Sequence, residues 1–169
     1  MGNRYILLPS VLVSGFIVLW APLTLSQAGP TAKPKTTGQP QFLNPDGLSK
    51  PTGYSHVVIT QPGKLIYVSG QVALNAGGEV VGKGDLRAQA TQAMENLKMA
   101  LAAAGAMPSD IIKVNHYVVN LKPDLLPIIR EVRSKFFSAE NPPASTLVGV
   151  TALAREEFMI EIEAVAVAK

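Results

Sequence analysis

The 169 residues include no cysteine. That excludes disulfides, a thiol nucleophile and a lipid-modified N-terminal cysteine, so packing or assembly must supply the stability that crosslinks give many exported domains. Histidine is scarce too. His56 and His116 stand far apart, with no spacing of the kind that gathers a transition metal. No run of Lys and Arg is interleaved with aromatics and the net charge is only +3, which leaves electrostatic capture of nucleic acid without support. Charge is absent altogether from Tyr5 to Leu25.

Asn3-Arg4 before that run and Ser26-Gln27-Ala28 after it complete the pattern of a secretory signal peptide, residues 1–28, cleaved after Ala28. The run is also long enough to span a bilayer, which takes about 20 apolar residues. An uncleaved anchor over residues 5–25 is therefore the alternative, although Pro9, Ser14 and Pro22 interrupt it. The reading predicts a periplasmic or secreted protein with no membrane attachment after cleavage. Gly29 to Lys50 is rich in Pro, Gly, Thr and Lys. It has too little apolar surface to offset chain entropy, so residues 29–50 read as a flexible linker and 51–169 as the folded domain.

Within the domain, His56–Thr60 and Leu65–Ser69 read as strands joined by Gln61-Pro62-Gly63-Lys64. Leu86 to Ala104 reads as a helix, with Asp85 as N-cap, Gly105 after its end, and an apolar stripe of Leu86, Ala90, Met94, Leu97 and Leu101. Ile111–Val119 is a strand with Ile112, Val114, His116 and Val118 on one face and Lys113, Asn115 and Tyr117 on the other. A second helix is expected from about Pro127 to Phe137, burying Ile128, Val132 and Phe136. Thr146–Leu153 and Phe158–Val167 are the last strands. The order predicts one α+β domain, a mixed sheet with two helices on one face. Thr146–Leu153 is small or apolar on both faces, and a large apolar face does not stay in water. The bare sheet face is therefore expected to be covered by other subunits in a closed oligomer.

Glu161 and Glu163 share one face of an otherwise apolar strand, opposite Ile160, Ile162 and Ala164. Like charges so placed are solvated, paired or used.

A set of motifs then occurs in order at matching spacings. Tyr54-Ser55 is followed by Tyr67-Val68-Ser69-Gly70-Gln71, then by Gln89 to Gly105 with Glu95-Asn96-Leu97 inside, and by Asp110-Ile111-Ile112-Lys113-Val114. Phe136-Phe137, Pro143-Ala144 and Ile160-Glu161-Ile162-Glu163-Ala164 complete it. From about Lys50 to Val167 the chain resembles the reactive-intermediate deaminase family (RidA, also called YjgF). The resemblance implies a chorismate-mutase-like α+β fold and a homotrimer with small-molecule clefts between subunits. It implies hydrolysis of imines or enamines, of the 2-iminobutanoate/2-iminopropanoate deaminase type, with no metal or organic cofactor. It makes Glu161 the water-orienting carboxylate and places Tyr54, Ser69 and Gly70 in the cleft wall.

The chain departs from the archetype where substrate is held. The arginine that follows Pro-Ala in archetypal members is Ser145, followed by Thr146. Both residues offer hydrogen bonds to a polar ligand, but neither grips a carboxylate bidentately. The chain therefore resembles a divergent member, expected to hydrolyse short amino-acid-derived imines weakly or not at all. A non-catalytic small-molecule-binding or protein-protecting trimer is the alternative. Arg130, Arg133 and Arg155 are the candidate replacements for the missing arginine, although the first two read as a solvated helix face. His56 is an acid/base candidate beside Tyr54, and His116 reads as a satisfied core residue.

Overall fold

The structure, a computed structural model, describes residues 39–168. The expected signal peptide lies outside the described residues, as does the first part of the expected linker. A short strand, β1 (Gln41–Leu43), pairs antiparallel with β2 (Val57–Ile59) in a two-stranded ribbon, with Gln41 opposite Ile59. Paired structure thus begins upstream of Pro51, inside the stretch expected to be a flexible linker. Three residues among Pro and Gly carry no periodicity to read; the pairing with β2 orders them.

The main sheet comprises β3 (Lys64–Gln71), β4 (Ile111–Val119), β5 (Ala144–Val150) and β6 (Ile160–Ala168) in the order β3-β6-β4-β5. β4 and β5 are parallel and the other pairings antiparallel. The parallel pair needs a crossover, supplied by α2 (Leu126–Ser134), and α1 (Leu86–Ala103) links β3 to β4. The expected α+β architecture, a mixed sheet with two helices, is the one observed.

α1 begins where Asp85 accepts hydrogen bonds from the Arg87 and Ala88 backbone N–H groups at 2.9 and 3.1 Å. Its stripe of Leu86, Ala90, Ala93, Met94, Leu97 and Leu101 is buried against Ile66, Val114, Val118, Ile160, Ile162, Ala164 and Ala166 of the sheet. Two polar residues of the helix tie down the chain around the sheet. Buried Gln89 donates to Glu157 O at 2.8 Å and accepts from Met159 N at 2.8 Å, and Asn96 donates to Val72 O and Leu74 O.

The strand and helix phases differ from expectation in three places. The β4 register shifts between Ile111 and Lys113, so Ile111, not Ile112, is the buried residue at the strand start. α2 stops at Ser134, because the Arg133 carbonyl accepts from both Phe136 N and Phe137 N at 3.0 Å. Its buried residues are Ile129, Val132 and Arg133, while Ile128 and Phe136 are half-buried. β5 starts earlier than Thr146 and ends at Val150, where its partner β4 gives way to Asn120 at φ 50°.

Candidate functional site

The side chains on the sheet face away from the helices fall into a polar row on β4 and β6 with apolar flanks. Tyr67 is 76% exposed and Leu65 51% on β3, and Val148 is 38% exposed on β5. Glu163 lies between them with Asn115 as its register partner. Its Oε1 accepts from Asn115 Nδ2 and Tyr117 Oη, each at 2.7 Å. These bonds favour the ionised carboxylate, holding Glu163 below the usual range and pushing the Tyr117 phenol up. Lys113 is lowered by burial, with the Glu163 charge opposing the shift. Tyr67, Ser69, Lys113, Asn115 and Glu163 line an open cavity of ≈ 240 Å³.

Glu161 is used differently. Its register partner is Tyr117, but among the described residues its carboxylate has no hydrogen-bond donor. It lies instead over Gly70, at the register shift of β3. A Cβ on Gly70 would stand 2.6 Å from Glu161 Cδ and 2.7 Å from Cγ, a collision that real contacts do not show. Glycine at position 70 therefore lets the strand backbone meet an acid side chain, and Ser69, Gly70 and Glu161 come together as one group.

The remaining expected site residues lie around β5, the edge strand beyond β4. Ser55 bridges Ala144 in parallel, its Oγ donating to Pro142 O at 2.7 Å and its N–H to Pro143 O at 3.2 Å. This sets Tyr54 beside the start of β5, where Ser145 and Thr146 lie. The Tyr54 ring meets His56 edge-on at 5.3 Å, and His56 Nε2 lies 2.8 Å from Ser49 O. Ser145 pairs in register with Val114, on the helix-covered face, whereas Thr146 pairs with Asn115 on the open face and accepts from Lys113 Nζ. β4 separates β5 from β6, so Ser145 and Thr146 lie about 10 Å from Glu161 across the sheet alone. Within one chain Lys113 links Thr146 to the cavity that Ser69 lines, while β4 keeps Ser145 apart from Glu161.

Two expectations about basic residues are corrected. Arg133 is not part of a solvated helix face: it is 9% exposed, donates from Nη2 to Gly53 O at 3.0 Å, and its Nε has no partner. Burial, reinforced by the Arg130 charge, lowers its pKa. His116 is in the core but is not satisfied there. It is fully buried and neither ring nitrogen makes a hydrogen bond of good geometry. The Thr146 backbone favours its protonated form slightly, but burial first and the Arg133 charge second push its pKa down to about 3. The helical period marks Arg133 as a neighbour of Ile129 and Val132, the one sequence signal for its burial; a cation at that position points the other way.

With this geometry in hand, comparison with known proteins is specific. Residues 47–168 match the family described as Endoribonuclease L-PSP. A 2-iminobutanoate/2-iminopropanoate deaminase of Dermatophagoides farinae is 37% identical over 114 residues, covering 68% of this chain and 84% of that protein. The 3-aminoacrylate deaminase RutC of Acinetobacter baylyi is 32% identical over 126 residues, covering 75% of this chain and 96% of that protein. A solved structure of a conserved Rid-family protein from Yersinia pestis superposes with a TM-score of 0.73 at 41% identity, covering 77% of this chain and 99% of that one. These matches lead to one assignment: the chain belongs to the RidA/YjgF/RutC family.

Proposed function

We propose that this protein is an exported deaminase-type hydrolase that acts on a small imine or enamine in a cleft between subunits of a homotrimer. Residues 1–28 act as its signal peptide. The observation that carries the catalytic reading is Glu161, an acid held against the Gly70 backbone with no donor of its own among the described residues. Its free carboxylate orients a water molecule. The water oxygen adds to the imine carbon while Glu161 takes up one water proton and passes it to the imine nitrogen. Glu161 then carries the carbinolamine hydroxyl proton to the amino group, and the carbon–nitrogen bond breaks, releasing ammonia and leaving a carbonyl compound. This needs neither metal nor redox partner.

The separation of the two groups of site residues supports a shared cleft. Ser69, Gly70 and Glu161 of one subunit would face Tyr54, Ser145 and Thr146 of the next. The open sheet face supports trimerisation, because Leu65, Tyr67 and Val148 present apolar surface that an assembly covers. The test is ammonia release from freshly generated imines by the mature protein. Wild type should turn over and Glu161→Gln, which keeps size and loses charge, should not. Equal turnover by both would remove Glu161 from the chemistry. A second reading, a non-catalytic small-molecule-binding or protein-protecting trimer, is favoured by the uncharged Ser145 at the archetypal arginine position. Ligand binding without any turnover would select it.

A further inference from the structure

Arg133 is the only buried charged side chain among the described residues. It forms no ion pair there, and neither does Arg130, one turn earlier on α2. The one acid between them, Glu131, is engaged by Arg87 and Lys135. What holds Arg133 is the Gly53 carbonyl and the Phe137 ring, whose centroid lies 6.0 Å from the guanidinium carbon. Its Nε is buried with no acceptor. A buried cation is tolerated when an anion and further acceptors meet it. Here the protein supplies a cavity in place of an anion. It has a volume of ≈ 230 Å³ and is lined by Thr52, Gly53, Arg130, Arg133, Phe137 and Pro142 among others.

The contents of that wall define the ligand. Two guanidinium groups one helical turn apart set the sign of its charge, and the planar guanidinium fork suits the two oxygens of a carboxylate. Phe137 and Pro142 provide apolar wall for a short hydrocarbon portion, and the volume admits a molecule of a few carbons. Gly53 has φ 72°, a conformation that brings its carbonyl to the guanidinium and that other residues rarely adopt.

We infer that this pocket binds the carboxylate of a small aliphatic acid, with Arg133 as the principal ligand and Arg130 as the second charge. Recognition of a negative group is then placed on α2 rather than at the start of β5, where Ser145 has none to offer. The pocket stands on its own geometry; only its connection to turnover rests on the deaminase reading.

Calorimetric titration of the intact protein with 2-oxobutanoate, and separately with inorganic phosphate, tests it. 2-Oxobutanoate should bind the wild type. Arg133→Gln should weaken binding about tenfold or more, and Arg130→Gln severalfold. Arg130 is exposed, so its variant reports on the pocket even where loss of Arg133 disturbs folding. Glu161→Gln should keep the affinity while losing turnover, and a wild type that binds the acid yet hydrolyses no imine would remove the catalytic reading and leave the pocket in place. No binding by the wild type, or equal binding by the wild type and Arg130→Gln, would overturn the proposal. So would a preference for inorganic phosphate.

Discussion

His116 converts burial into a pH dependence that a single substitution isolates. In the unfolded chain its imidazole titrates near the ordinary 6.5, and in the fold its pKa is pushed down to about 3. Between those values the unfolded chain takes up a proton that the folded imidazole refuses, so stability falls as pH drops through the window and levels off near 3. The expected loss is up to about 1.4 kcal/mol per pH unit from this residue alone. His116→Leu removes two unpaired nitrogens at similar volume. Denaturant titrations at pH 7 and pH 5 should show a smaller loss in the variant than in the wild type; equal losses would show that His116 is protonated within the fold. At Gly70 the expectation concerns activity. Gly70→Ala should cut imine turnover about tenfold or more while the far-ultraviolet circular dichroism spectrum is kept, because the new methyl group displaces the Glu161 carboxylate. The motif marks position 70 but does not show that Glu161 approaches it, and the fate of the two acids was not legible either. Strand alternation puts Glu161 and Glu163 on one face, yet only the registers of β3 and β4 show that Asn115 and Tyr117 pair Glu163 and leave Glu161 free.

The elements differ in how far local sequence determines them. α1 starts at its N-cap as expected, since Asp85 and a long apolar stripe are both local signals. β4 spans Ile111–Val119, as its alternation predicts, but the extra residue at its start exchanges Ile112 for Ile111 in the core. A bulge is set by the partner strand and leaves no local trace. In α2, Ile128 and Ile129 are adjacent apolar residues, so the period alone fits two phases; packing against α1 selects the one that buries Ile129, Val132 and Arg133. β1 is ordered by β2, across an intervening loop. The cap on α1 gives a direct test of the local part. Asp85→Ala should cost about 1 kcal/mol and lower the melting temperature by roughly 2–6 °C, as read by calorimetry. An unchanged melting temperature would mean that tertiary packing alone holds the first turn.

At the scale of the whole molecule, one sheet face is sealed by helices and the other presents Leu65, Tyr67 and Val148 around the Glu163 network. Tyr67→Glu would place an unpaired charge in the covered face of an assembly. Light scattering should report three subunits for the wild type and monomers for the variant; a folded monomeric wild type would remove the trimer. In the proposed trimer, assembly also completes the site, because within one chain β4 separates Glu161 on β6 from β5, beside which Ser55 sets Tyr54. The most direct measurement is complementation between Glu161→Gln and Tyr54→Ala, each expected to be nearly inactive alone. When the two are unfolded, mixed in equal amounts and reassembled, roughly a quarter of the clefts should combine an intact Glu161 from one subunit with an intact Tyr54 from its neighbour. Imine hydrolysis should therefore return to about that fraction of the wild-type rate. A mixture that stays as inactive as its components, while reassembled wild type is active, would contradict a deaminase cleft shared between subunits.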